Sequence, residues 1–318
     1  MIAPGPVYAL RLVLTSDISR QPMGNPTRPL LVLHADRVFR ERLRRAAHSR
    51  FEVCWVPNWA ALPDAVRSAA PAGIVVVDPY HDQGARGGLA PELYTLLRAF
   101  PSATVVAAFS NQPGWFHDIR TLGEWGVVEV IDIVAEDTAE AVRRRLDAAR
   151  GRPLRSLLDR GVAVPFPGRG RAILDAAGEL VAVGGHARNL AAALHLSPAT
   201  LLRWCRSSGL PVPRRLLVWM RLLLAAEMLD DPGQTVSNVA LACGYSSDDA
   251  LRRALYGVVE MGPTTLRQRG AFRVISAAFV AALAECRRAV EEPASRPAVI
   301  ERWADKPASV SRHPARVA

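Results

Sequence analysis

Residues 235–258 read TVSNVALACGYSSDDALRRALYGV. Val236, Val239, Ala240 and Cys243 fall at i, i+3, i+4 and i+7, the spacing of one apolar helix face. Gly244 then stands where a helix end favours a residue that accepts a left-handed conformation. Ser246 followed by Asp249 has capping-box spacing, which predicts the start of another helix. Leu251, Ala254, Leu255 and Val258 share one face of that helix. Two short helices joined by about three residues with a Gly inside form a helix-turn-helix pattern. Ala240 suits it, because a bulkier side chain there would hold the helices apart. An ordinary helical hairpin in an all-α core would read the same way, so a second copy is needed to separate the two.

Residues 186–209, HARNLAAALHLSPATLLRWCRSSG, supply that copy. Leu190, Ala191 and Leu194 form the first apolar face, and Leu196 falls in the turn. Ser197-Pro198 gives an N-cap followed by proline at the first helical position. Leu201, Trp204 and Cys205 line the next helix. Between the copies runs VPRRLLVWMRLLLAAEMLDDPGQT, a long apolar helix closed by Asp-Pro-Gly.

Two such units on one connecting helix resemble the AraC/XylS family of bacterial transcription regulators, over roughly residues 168–272. The resemblance rests on LAAALHLSPATLLR, RLLLAAEML, VSNVALACGYSS and the closing GPTTLRQRG, in which Pro263 and Arg267 match the family's terminal Pro-x-x-x-Arg element. It departs at Cys205, Leu251 and Leu255, where the family has large aromatics, and at Glu260, where Gly is common. The resemblance implies a sequence-specific DNA-binding regulator, with duplex DNA as partner and RNA polymerase and a second copy of the chain as further candidates. In a helix-turn-helix the second helix enters the major groove. That face offers Ala199, Thr200, Arg203 and Arg206 in the first unit, and Ser247, Asp248, Arg252 and Arg253 in the second. Arginine can hold guanine in bidentate fashion, and threonine can meet a thymine methyl or a phosphate. Asp248 and Asp249 suit a helix N-terminus but repel phosphate, so capping competes with base reading there. Arg214 and Arg215, near the start of the connecting helix, are candidate phosphate contacts.

Charge divides in the same way. Residues 186–273 hold eleven Arg and six acids, whereas residues 28–150 hold fifteen of each. The formal net charge of +10 therefore gathers on the helical half, as an anionic partner requires.

Residues 28–150 alternate short apolar runs with amphipathic stretches. LLVLH (30–34), FEVCWV (51–56), AGIVVVD (72–78), ATVVAAFS (103–110) and VVEVIDI (127–133) read as strands, each followed by a helix. Five β-α units predict a parallel sheet covered on both faces, a receiver- or flavodoxin-like α/β domain. The arrangement resembles the receiver domain of a response regulator, with Asp78 at the phosphoacceptor position and Ser110 as the hydroxyl after strand four. Phosphorylation also needs paired acids after strand one to hold magnesium. This chain has His34-Ala35-Asp36 there, and no Lys after strand five, its single Lys being Lys306. The reading is a receiver-like domain for signal input or dimerisation without phosphorylation. The alternatives are a phosphorylation-dependent regulator using Asp78, or a nucleotide- or flavin-binding enzyme domain. The first β-α turn lacks a glycine-rich loop, and GARGGLA (84–90) follows the wrong strand for one.

The remaining expectations concern organisation. Residues 1–27 read as a disordered leader, 151–167 as a Gly/Pro/Arg-rich linker, 168–275 as the DNA-binding domain, and 276–318 as a helix with a disordered tail. Cys54, Cys205, Cys243 and Cys286 lie too far apart for common zinc spacings and read as buried free thiols. No metal, cofactor, catalytic residue or membrane span is expected. A cytoplasmic location is.

Overall fold

The computed structural model describes residues 28–71, 73–83, 88–110, 116–161, 166, 168–182 and 187–291. The expected leader (1–27), the tail from 292 onward and part of the 84–90 glycine-rich stretch lie outside them. The N-terminal half is an α/β unit built on β1 (Arg28–Leu33), β2 (Phe51–Trp55), β3 (Ile74–Val77), β4 (Thr104–Phe109) and β5 (Glu129–Asp132). All strand pairs are parallel, in the order β2-β1-β3-β4-β5. That is the doubly wound order of flavodoxin-like folds, with its switch point between β1 and β3.

Strand alternation sorts the core into two layers. Leu31, Leu33, Val75, Val77, Val105, Ala107 and Phe109 face α2 (Leu62–Ser68), α3 (Pro91–Ala99) and α4 (Phe116–Trp125). Leu30, Val32, Ile74, Val76, Val106, Ala108 and Ile131 face α1 (Arg37–Ala47) and α5 (Ala139–Gly161). Because both faces are covered, β3 and β4 are buried throughout and read as unbroken apolar runs.

The C-terminal half is helical: α6 (Gly168–Ala182), α7 (Ala187–Ala193), α8 (Pro198–Ser207), α9 (Pro213–Asp230), α10 (Val236–Ala242), α11 (Asp248–Val259), α12 (Pro263–Arg269) and α13 (Ala271–Glu291). Its axis is α9, which buries eleven of its residues from Leu216 to Leu229, as a helix apolar all round must. Ala271, Ile275, Phe279 and Leu283 on α13 pack onto it at four-residue spacing, and Phe279 meets the Trp219 ring at 5.3 Å.

Three expectations change here. The stretch 151–161 is not linker: α5 continues through Pro153 to Gly161, and Leu157 and Leu158 join the helical core. A boundary at 275/276 falls inside α13, whose apolar stripe runs unbroken across it. Only Cys205 and Cys243 are buried; Cys54 is exposed and Cys286 half-buried, and all four are free thiols.

The two halves touch along the edge of the sheet where its strands begin. Gly233 N–H donates to the Ala99 carbonyl at 2.8 Å, and Arg67 Nε donates to the Gly233 carbonyl at 3.0 Å. Ser102 donates both its backbone N–H (3.1 Å) and its hydroxyl to the Asp231 carboxylate, and Arg28 pairs with Glu179 of α6. A β-carbon on Gly233 would lie 2.6 Å from Phe100 Cζ and 2.9 Å from the Ala99 carbonyl oxygen, so no larger residue fits.

Candidate nucleic-acid interface

The two helix pairs turn in the same way, hydrogen bond for hydrogen bond. After α7, His195 N–H reaches the Ala192 carbonyl at 3.0 Å and Leu196 N–H the Ala191 carbonyl at 2.9 Å. After α10, Gly244 N–H reaches Leu241 at 3.0 Å and Tyr245 N–H reaches Ala240 at 2.8 Å. The left-handed residue is His195 (φ 53°) in the first turn and Gly244 (φ 76°) in the second. These bonds occupy carbonyls that a helix end otherwise leaves open. Leu190, Ala191, Leu201 and Cys205 then close the first pair, and Val239, Ala240, Leu251 and Leu255 the second, all fully or nearly fully buried.

The N-caps fix where each second helix starts. Ser197 Oγ accepts from Thr200 N–H at 3.1 Å, as its sequence position predicts. In the second pair the cap is Ser247, not Ser246: Ser247 Oγ accepts from Ala250 N–H at 3.2 Å. The second turn is therefore one residue longer, and the Ser247 hydroxyl is committed to the helix end. Asp248 and Asp249 fill the first turn of α11, where negative charge is favoured, and Asp248 also lies 3.9 Å from Arg252 one turn on.

The sequence-predicted residues fall as follows. Ala199, Arg203 and Arg206 are exposed along α8, and Thr200 is half-buried with its hydroxyl 2.9 Å from Ser197 Oγ. Arg214 and Arg215 are exposed in the first turn of α9. Arg252 and Arg253 are exposed on α11; Ser247 and Asp248 are half-buried at its start. Arg203, Arg206, Arg214, Arg215 and Arg253 make no ion pair among the described residues, so their guanidinium groups face solvent with their charge uncompensated. Two further arginines have no signal in the sequence. Arg169 of α6 stacks over Trp204 at 5.0 Å, and Arg221 of α9 stands 5.9 Å from the Tyr245 ring. Both contacts join segments distant in sequence.

The frame behind this face is polar and tightly tied. Arg267 donates from Nε to the Leu229 carbonyl (2.8 Å) and from Nη2 to that of Gln234 (2.5 Å), holding the turn between α9 and α10. Asp230 accepts from the backbone N–H groups of Ala271 and Phe272 and so caps α13. The buried thiols of Cys205 and Cys243 are pushed up to about 11 and about 12 by desolvation, which makes them inert packing groups.

The Asp78 end of the sheet lies opposite the interface with the helical half. His34 Nε2–H donates to the Ala108 carbonyl at 3.1 Å, while His34 Nδ1 accepts from Asp36 N–H at 3.1 Å. Burial holds the imidazole below its ordinary pKa against the pull of Asp78 and Asp36. It is a neutral ring with both nitrogens used. Asp36 Oδ1 caps α1 through Val38 and Phe39, and Asp78 Oδ1 accepts from Tyr80 N–H at 2.9 Å. No cluster of His, Cys, Asp or Glu suited to a metal ion occurs among the described residues, and none of their helices is long and apolar enough to cross a membrane.

Residues 190–269 match the model of a family described as a helix-turn-helix domain, which spans α8 to α12 and most of α7. This segment is thus a helix-turn-helix domain, the class of fold that binds DNA through an exposed helix. No curated protein matches the chain. Among solved structures, full-length FixJ from B. japonicum is similar over 69% of this chain and 98% of that one, at 18% identity and a TM-score of 0.28.

Proposed function

We propose that this chain is a sequence-specific DNA-binding transcription regulator of the AraC type. In this reading both helix pairs, α7–α8 and α10–α11, are DNA-reading units carried on α9. The observation that carries it is the uncompensated guanidinium row of Arg203, Arg206, Arg214 and Arg215, presented by a helix-turn-helix frame. Ala199, Thr200 and Arg203 on α8 are the base-reading candidates, with Arg206, Arg214 and Arg215 toward phosphate. On α11, Arg252 and Arg253 contribute, while Ser247 and Asp248 serve the helix start, so the second unit binds more weakly than the first.

The α/β half, through α5, acts in signal input or dimerisation and does so without phosphorylation. The neutral His34 favours this: an imidazole with both nitrogens used stands where a second carboxylate would be needed to hold magnesium, which leaves Asp36 as the one acid in the turn after strand one. A phosphoryl group at Asp78 would add nearly two negative charges beside Asp36.

The test is DNA binding by the full chain. Arg203→Ala is expected to cost about 1–3 kcal/mol on the preferred duplex and little on random sequence, as loss of a base contact does. Equal losses on both would reassign Arg203 to phosphate. Failure of the parent chain to bind any promoter-derived duplex would overturn the reading.

A further inference from the structure

The basic surface does not stop at the helix-turn-helix segment. Three elements converge on the C-terminal end of α8, two of them outside residues 190–269. The N-terminus of α6 packs there: a β-carbon on Gly170 would sit 3.2 Å from Ser208 Cβ, and Arg169 covers Trp204. The last turns of α13 pack there too. A β-carbon on Gly209 would fall 2.5 Å from Arg287 Cγ, and the Arg287 guanidinium stands 4.4 Å from the Phe166 ring. The charge of Arg215, at the start of α9, is felt at Cys286 of α13, which places the beginning of one helix beside the end of the other.

The result is a set of arginine-bearing helix ends gathered around the end of α8. Arg169, Arg206, Arg214, Arg215 and Arg288 are exposed and Arg287 is half-buried, with Glu285 the one acid among the described residues 203–215 and 281–290. Such a concentration of like charge is self-repulsive, and a bound polyanion would relieve that repulsion. Arg287 is held by its ring contact and by Gly209, whereas Arg288 points outward from an already fixed helix end.

We infer that α13 is part of the DNA interface: its C-terminal arginines, with Arg169 of α6, extend the phosphate contacts of α8 and α9 beyond the helix-turn-helix domain. This rests on the DNA-binding reading above. The contacts carry no sequence information, because phosphate is the same at every base pair. They set affinity, register on the duplex and salt dependence.

The experiment compares the full chain with Arg288→Gln and Arg169→Gln, each checked for unchanged helix content by circular dichroism. Binding to the preferred duplex and to a random-sequence duplex is followed across a salt series. Each phosphate contact contributes a slope of about 0.9 in log K against log salt concentration. Arg288→Gln is expected to lower the slope magnitude by about 0.9, weakening binding to both duplexes by the same factor. Parent affinity and slope in both variants would overturn the inference while leaving the DNA-binding reading intact. A loss confined to the preferred duplex would also overturn it, because it would mark base reading rather than phosphate contact. If the parent chain itself binds no duplex, the failure belongs to the earlier reading.

Discussion

Glu260 closes α11 in a left-handed conformation, φ 55°, with its N–H on the Tyr256 carbonyl. An L side chain pays about 1 kcal/mol for that conformation and glycine does not. In the AraC/XylS family that this stretch resembles, Gly is common at the position, and the left-handed backbone supplies a reason. Glu260→Gly is expected to stabilise the protein by up to about 1 kcal/mol. Gly244→Ala, at φ 76° with open space around it, is expected to destabilise it by about 1–2 kcal/mol through conformation alone. Urea midpoints at constant slope would report both. Opposite signs from these would remove left-handed strain as the governing term.

Asp231 is a second informative residue. It is 3% exposed, and burial, reinforced by Glu227 and Asp230, raises its carboxyl from 3.8 to about 7 despite two hydrogen bonds from Ser102. A raised acid binds its proton more tightly in the folded state, so stability falls as pH rises from about 4 toward 7. Asp231→Asn keeps the shape and the Ser102 N–H bond but does not titrate. It is expected to flatten the pH dependence of the urea midpoint across that window. An identical pH profile in parent and variant would show that Asp231 is not the group responsible.

At the level of helices and strands, the sequence was readable where one period dominated. The β3 and β4 runs, the α7–α8 and α10–α11 faces and the apolar α9 all appear within two or three residues of their expected limits. Misreadings have local causes. Gly151 and Pro153 are strong breaking signals, yet α5 passes through them, because Leu157 and Leu158 beyond find a place in the helical core. Ser246 and Ser247 are both good caps, and only the hydrogen bond to Ala250 decides between them. The arginines of the candidate interface were legible as residues on α8, α9 and α11. Their neighbours Arg169 and Arg288 were not, because stacking on Trp204 and packing of one helix end on another are tertiary facts with no sequence period.

Across the two halves together, the contact at Gly233 is one of those that join them, with Asp231–Ser102 and Arg28–Glu179. It combines backbone pairing with Ala99, the Arg67 bond and a clearance that admits only hydrogen. Gly233→Ala is expected to push the Phe100 ring and the Ala99 carbonyl away and part the halves, while leaving each core intact. Small-angle scattering would register a larger radius of gyration, with far-ultraviolet circular dichroism unchanged. An unaltered radius would mean that the remaining bonds at Asp231 and Arg28 suffice.

Asp230 and Asp231 are consecutive residues at the end of α9, and they hold opposite things. Asp230 anchors the start of α13, and Asp231 anchors the sheet through Ser102. Asp230 is the last helical residue and Asp231 its extended C-cap, so the two carboxylates leave the end of α9 in different directions. The α/β half and α13, at whose far end Arg287 and Arg288 stand, are thereby tied to adjacent residues of one helix end.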